Sequence, residues 1–418
     1  MQKILIICDV YPPSFAPRMG YLVKYMRELN WTADIVTRSQ DRDFSFRSLS
    51  GDEKIIRVKG VQIPMKTMKD RIKNLVKQKH NHLRNGDLIS THILNNFNSK
   101  DYNLILCSTA QRTYILYAAW KVAKAWNKPW IADIRDLHEQ MPKLPATSRG
   151  LIGNLLEEFQ KKHNRFTLKL RNRMLGAANF TTTVSPWHAE QIEKYNSNTH
   201  LIYNGYDPAS YFPKQVKDMK SFNITYTGTV LSKEHQDPTL LFLAVKKLVK
   251  NGVIDKKEFR IQFYTSLNRR RPILENKVYA EIKEFIHFFD YVDTSKVPQL
   301  LNESAVLLLL SNLFKPDGPK GLISTTKYFE YLAVERPILC VRSDEDLLEA
   351  SIKEANAGIS ARTLDEAYNF LFIKWNEWKE KGFTTVNINK EYTKQFSRKI
   401  QAKQFVDLFD QLLAKKQN

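Results

Sequence analysis

The chain has 418 residues, 43% of them apolar and 11% aromatic, enough for sizeable cores and too many for global disorder. At roughly 150 residues per domain, the length predicts two or three domains. Lys and Arg number 65 against 44 Asp and Glu, and the net charge of +21 points to polyanions: nucleic acid, an anionic membrane surface or phosphorylated substrates.

Lys3–Cys8 reads as a buried strand, because one Lys and five apolar residues before Asp9 do not make a signal peptide. Met19–Leu29 predicts a helix with Met19, Leu22, Val23, Met26 and Leu29 on one face. Strands follow at Ala33–Thr37, Ile55–Val58, Leu104–Cys107, Trp130–Asp133 and Phe180–Val184, each after a helical or polar segment. Short, near-continuous apolar strands alternating with helices predict a parallel sheet covered on both faces. The pattern restarts after Tyr206, Asp207 and Pro208. Strands are expected at Asn223–Thr227, Arg260–Tyr264, Phe288–Val292, Val306–Leu310 and Pro337–Val341, with a helix over Pro238–Lys250. Pro208 and Pro213 suit a hinge at 205–215. Lys390–Ala414 predicts one long helix, with Phe396, Ile400, Phe405, Leu408, Phe409 and Leu412 in 3–4 spacing. The expected units are residues 1–205, 206–389 and a tail helix over 390–418.

Three cysteines, Cys8, Cys107 and Cys340, lie far apart with no CxxC, which argues against a disulfide framework or a zinc knuckle. The longest aliphatic run, Val306–Leu310, is far short of the roughly 20 residues of a spanning helix. A cytoplasmic protein is expected, peripheral at the inner face of the plasma membrane. The charge supports that location, since residues 1–200 hold 32 basic and 17 acidic side chains whereas 201–418 hold 33 and 27. Much of the excess sits in two basic amphipathic stretches, 65–84 and 161–173, of the kind that lies on anionic lipid or forms an ordinary solvated helix face. Nucleic acid is not expected as a partner, because residues 65–84 lack the aromatic side chains that stack on bases.

No GxGxxG follows the first strand, and GxxxxGK[ST], GxSxG and HExxH are missing throughout. Two DxD triplets, Asp41–Asp43 and Asp344–Asp346, are short matches in polar segments, and no metal site is expected. More specific is the run from Gly321 to Leu339, a loop entering a helix and then a strand. Ser324 and Thr325 suit an N-cap before Lys327–Ala333, and free amides at a helix start favour phosphate. Glu330, one turn further in, suits sugar hydroxyls; the alternative is a solvated Glu on a surface helix.

Lys327–Leu339, KYFEYLAVERPIL, resembles the donor-site signature of family-4 retaining glycosyltransferases of the GT-B fold. Four other stretches resemble that family in the same order: KILIICDVYPPSFAPRMG from Lys3, WIADIRD from Trp130, LIYNGYD from Leu201 and ITYTGTVLSKEHQDPTLLFLA from Ile224. The resemblance implies two Rossmann-like parallel-sheet domains facing each other across a cleft, with the C-terminal helix crossing back to the N-domain. It implies transfer of a sugar, with retention, from a UDP- or GDP-linked donor to a hydroxyl of a glycan or lipid-linked acceptor, without cofactor or metal, in bacterial surface polysaccharide assembly. Glu330 matches the second Glu of the family's E-x7-E pair, which contacts ribose, while the first falls on Leu322. On the loop opened by Gly228, Lys233 and His235 match the basic pair that neutralises the donor diphosphate, with Ser324, Thr325 and Lys327 completing the cradle. Arg18 and Gly20 match the acceptor-side loop, and Asp136 an acid that follows a His in relatives, where Arg135 stands here. Asp293 falls where relatives contact the base. Alternatives are a GT-B nucleotide-sugar epimerase, a non-catalytic basic binding protein prompted by the +21 charge, and a catalytically dead scaffold prompted by Leu322 and His235.

Overall fold

Gln2–Cys8 (β1) is buried continuously from Ile4 to Cys8, with successive side chains on opposite faces of the sheet. Ile4 and Ile6 face one layer of side chains and Leu5 and Ile7 the other, as the two-residue strand period requires. The computed structural model describes residues 1–14, 17–38, 49, 51–61, 67–140, 151–230, 236–311, 321–323, 325–341 and 346–417. The chain forms two compact units, Met1–Tyr203 with Gln401–Asn418, and Asn204–Ile400.

In the first unit β1 is followed by α1 (Pro17–Met26), β2 (Trp31–Arg38), β3 (Ile55–Val58), α2 (Met68–Asn96), β4 (Leu104–Thr109), α3 (Thr113–Trp126), β5 (Trp130–Ile134), α4 (Leu151–Gly176), β6 (Phe180–Thr183), α5 (Pro186–Glu193) and β7 (Thr199–Leu201). The seven strands are parallel in the order β3-β2-β1-β4-β5-β6-β7. One face packs on Ile115, Ala118, Ala119 and Val122 of α3. The other packs on Met19, Leu22, Val23 and Met26 of α1.

In the second unit come β8 (Phe222–Thr227), α6 (Thr239–Lys250), β9 (Phe259–Tyr264), the short α7 (Arg271–Leu274) and α8 (Tyr279–Ile282), β10 (Ile286–Phe289), α9 (Val297–Asn302), β11 (Val306–Leu310), α10 (Lys327–Ala333), β12 (Ile338–Val341), α11 (Asp346–Glu354), β13 (Gly358–Ala361), α12 (Leu364–Lys381) and α13 (Lys390–Thr393). Its six strands are parallel in the order β10-β9-β8-β11-β12-β13. An aromatic nest anchors its core: Phe222 stacks on Phe259 at 5.1 Å, and Trp375 of α12 lies 5.6 Å from Phe222.

The expected tail helix is broken. Lys390–Thr393 is helical, a 3-10 turn covers Lys394–Phe396, Ser397 is extended (φ −70°, ψ 130°), and α14 runs from Arg398 to Gln417. The cause is Tyr206, whose N–H donates to Phe396 O at 3.0 Å and whose carbonyl accepts from Arg398 N–H at 2.8 Å. These bonds take backbone groups that a continuous helix would pair internally. Phe396, 1% exposed, locks the break against Phe329 at 5.0 Å. Beyond it, Phe405, Phe409 and Leu412 of α14 join the α1 face of the first unit's sheet. The strand expected at Phe288–Val292 lies instead at Ile286–Phe289, so Tyr291 and Asp293 belong to the loop after it.

All three cysteines are buried and free. Burial, with Asp9 adding to it, pushes the Cys8 thiol up to about 12, so it is an unreactive core group. Among the described residues no helix is long and apolar enough to cross a membrane, and no three His, Cys, Asp or Glu gather as metal ligands.

Candidate functional site

Each sheet reverses its winding once, between β1 and β4 and between β8 and β11. At such a switch point the flanking loops leave in opposite directions and open a crevice at the carboxyl ends of the strands. Gly228 directly follows β8, at the second of these places.

In the second unit, the chain leaves β8 through Gly228 with φ +117°, a conformation that favours glycine. A Cβ on Gly228 would lie 2.6 Å from Lys327 Cε and 3.0 Å from its Nζ. The bare backbone is therefore what seats the Lys327 ammonium, which also lies 5.5 Å from the ring centre of Tyr226. Lys327 opens α10, and Glu330 stands one turn later, hydrogen-bonded to Tyr211. Burial pushes the Glu330 carboxyl up to about 7, against the pull of Lys327, Tyr211 and Arg398. Burial also lowers Lys327, with Glu330 opposing the shift. A desolvated ammonium and a carboxyl that ionises near neutrality thus share one helical turn.

Other expected donor residues are placed differently. Thr326, not Thr325, precedes the helix; it already has helical angles (φ −74°, ψ −18°) and makes no side-chain cap bond. A capping side chain needs an extended backbone to swing back onto the first amides. Thr325 and Leu322 are buried, and Ser324, Lys233 and His235 lie outside the described residues, as do Asp41–Asp43 and Asp344. Asp293 is exposed and turned onto its own loop, accepting from Ser295 N–H at 2.9 Å and Ser295 Oγ at 2.6 Å, and those bonds lower its pKa. Tyr291 does reach the switch point: its hydroxyl lies 2.5 Å from Thr229 Oγ1, and the residue is 56% exposed.

In the first unit, Arg18 is 4% exposed and committed inward. Its Nε and Nη2 donate to the fully buried Asp133 at 3.0–3.2 Å, while Nη1 and Nη2 donate to the carbonyls of Tyr203 and Ile202 at 2.8 and 2.9 Å. Ser108 and Thr182 hydroxyls, each at 2.8 Å, complete the Asp133 shell. Burial alone would raise Asp133, but Arg18 and these hydrogen bonds outweigh it and hold the carboxyl below its usual range. Arg18, expected on the acceptor side from its position, thus ties the carboxylate of β5 to the backbone that follows β7. Gly20 lies within α1, where a Cβ would be 2.7 Å from Pro12 Cγ, so its smallness serves packing.

Arg135 pairs with Asp9 at 2.9 Å, and Asp9 also accepts from the Ala110 N–H at 3.3 Å. Asp136 accepts from Gln140 Nε2 at 3.0 Å; Gln140 Oε1 lies 2.6 Å from His188 Nε2, and His188 Nδ1 lies 2.6 Å from Ser185 Oγ. Burial pulls His188 down to about 4, against Asp136 and Glu139, which keeps it neutral at pH 7. Sequence reading missed Asp9, His188 and Gln140; the only signal was the position of Asp9 directly after the first strand. A hollow of about 570 Å³ around Trp120, Lys124, Lys128 and Lys415 opens at the opposite, amino ends of β5 and β6, away from this chemistry.

No protein-family model matches the chain, and no curated protein matches its sequence. Solved structures do match. HepE of Anabaena in complex with UDP and glucose aligns with TM-score 0.61 and 13% identity over 98% of this chain and 100% of that one. The lipopolysaccharide outer core galactosyltransferase WaaB, in its apo form, aligns with TM-score 0.58 and 12% identity over 98% and 100%. UDP-N-acetylglucosamine 2-epimerase from Rickettsia bellii aligns with TM-score 0.50 and 11% identity over 99% and 98%. With its two parallel Rossmann-like sheets and these neighbours, the chain has the GT-B fold.

Proposed function

We propose that the protein is a retaining glycosyltransferase that moves a hexosyl group from a UDP- or GDP-linked sugar to a hydroxyl of a glycan or lipid-linked acceptor, in surface polysaccharide assembly. The observation that carries this reading is the Gly228–Lys327–Glu330 arrangement at the switch point of the second sheet. HepE, a structural neighbour, binds UDP and glucose, which supports a UDP-sugar donor here. Lys327 holds the diphosphate and Glu330 accepts hydrogen bonds from the ribose hydroxyls. The acceptor oxygen bonds to the anomeric carbon as the bond to the diphosphate breaks, and the acceptor proton passes to the departing diphosphate. The ammonium stabilises the charge that develops there, a role that Lys233 and His235 share and that needs no metal. Arg135 and Asp136, on the first unit, serve the acceptor.

A thermal-shift panel of UDP, GDP, ADP, CMP and their sugars tests the donor. One nucleoside-diphosphate class should raise the melting temperature, and Gly228→Ala should weaken that ligand about tenfold by displacing Lys327, a loss of about 1.4 kcal/mol. No response to any nucleotide would overturn the assignment. The epimerase neighbour supports a second reading, which predicts a changed donor sugar in the absence of any acceptor.

The proposed workplace is the cytoplasmic membrane surface, because Lys73, Lys77 and Lys79 are all exposed on α2. Each basic residue near an anionic leaflet contributes about 1 kcal/mol. Replacing the three by Ala should reduce sedimentation with phosphatidylglycerol vesicles at least about tenfold. Equal sedimentation of variant and wild type would leave α2 as an ordinary solvated face.

A further inference from the structure

We propose that Gln78 and His82 of α2 and His163 of α4 form a binding site for a transition-metal cation of the Zn2+, Ni2+ or Cu2+ kind, clipping the two helices together. Gln78 and His82 are four residues apart, so they stand one above the other on the same helix face. His163 meets His82 from α4, with ring centres 5.6 Å apart and planes at 73°, and Gln78 reaches the same helix through its Nε2, which donates to Gln160 Oε1 at 3.5 Å. Gln78 Oε1, His82 Nε2 and His163 Nδ1 are all buried, and none has a hydrogen-bond partner among the described residues. Buried polar atoms are nearly always paired, so three orphans in one seam call for a shared partner.

The chemistry of the three atoms selects that partner. A carboxamide oxygen and the unprotonated nitrogen of a neutral imidazole are acceptors, and a water molecule has only two protons to give to three of them. A cation takes all three electron pairs at once. Imidazole and carbonyl ligands suit the borderline metals, which bind nitrogen at about 2.0–2.1 Å. With each ring centre about 1.1 Å behind its nitrogen, two imidazoles on one tetrahedral or trigonal ion would have centres about 5–5.5 Å apart, close to the 5.6 Å seen. Tyr114 and Phe166 wall His82 at 5.4 and 6.4 Å, and the three acceptor atoms are themselves shielded from solvent. The Lys79 ammonium lies over the far partner, 4.7 Å from the Phe166 ring centre, and no carboxylate is in the set. The ligands are therefore neutral, and the ion keeps water in its remaining positions. The site lies on the helical layer of the first unit and is independent of the donor reading.

The test uses tag-free protein stripped with EDTA. Titration with Cu2+, followed by electron spin-echo spectroscopy, should show one ion carrying two imidazoles, and Zn2+ should raise the melting temperature. His82→Asn and His163→Asn should each weaken binding about 10- to 100-fold and remove one imidazole from the spectrum. His92→Asn, on the same helix, should change neither. A wild-type spectrum with fewer than two imidazoles would overturn the site whatever the variants do. So would unchanged affinity in both His82 and His163 variants.

Discussion

Arg18→Met should lower the free energy of unfolding by about 3–5 kcal/mol, because it strands the buried Asp133 carboxylate. Methionine fills much of the arginine's volume, and it also replaces a guanidinium stacked 5.2 Å from the Phe405 ring centre, so the loss is mainly electrostatic. The carbonyls of Ile202 and Tyr203 lose their donors as well. Removing both charges should cost less than removing one, so urea melts of Arg18→Met, Asp133→Asn and the double variant should show strong coupling. The pH dependence has a definite sign. Asp133 has its pKa lowered in the native state, so its stabilisation is present above the ordinary value of 3.8 and is lost as pH falls through its native value. In Arg18→Met the uncompensated carboxyl is raised instead, and the deficit should shrink as the pH drops towards 4. A deficit independent of pH, or additive single variants, would mean that Arg18 acts by shape and not by charge.

The strands most legible in the sequence are those buried on both faces. Val306–Leu310 is aliphatic throughout and Lys3–Cys8 has an unbroken aliphatic centre, Ile4–Ile7, as a parallel sheet between helices demands. β13, Gly358–Ala361, escaped because an edge strand of small and polar residues carries no such run. Only a glycine serves at its start: at φ +146° a Cβ would lie 2.0 Å from Ile338 O. The break in the tail helix escaped for another reason. Its local periodicity is helical, and the group that interrupts it, Tyr206, is nearly 200 residues away in sequence. The site divides along the same line. Lys327 and Glu330 sit in one contiguous motif and were legible together. That Gly228 makes the space for Lys327 is a contact across about 100 residues, visible only once β8 and α10 meet. The burial of Arg18 is hidden for the same cause, since an exposed cation and a buried one look alike in sequence until Asp133, 115 residues on, is found beneath it.

Glu330→Gln should give a protein that is folded, more stable at pH 8 and poor at holding its donor. In the native state the carboxyl is raised from 4.5 to about 7 by burial, so the protonated form is the one the fold favours. The stability this confers is fully present below pH 4.5, declines as the pH rises through about 7, and is gone above it. Glutamine never ionises, so the variant should escape that decline, and its advantage over wild type should grow between pH 5 and 8. Donor binding should move the other way. In the proposed role the ionised carboxylate offers two oxygens to the ribose hydroxyls for charge-assisted hydrogen bonds, and the amide keeps only one oxygen for that purpose. The variant should therefore bind its nucleoside diphosphate about 10- to 100-fold more weakly at pH 8, with the gap closing at pH 6, where the wild-type carboxyl is itself protonated. Calorimetric titration at both pH values, beside urea melts at the same two, separates the two effects. Unaltered binding at pH 8 would remove Glu330 from the ribose contact, while a stability gain in the same samples would still show that its charge is held against the preference of the fold, as expected of a group kept for function.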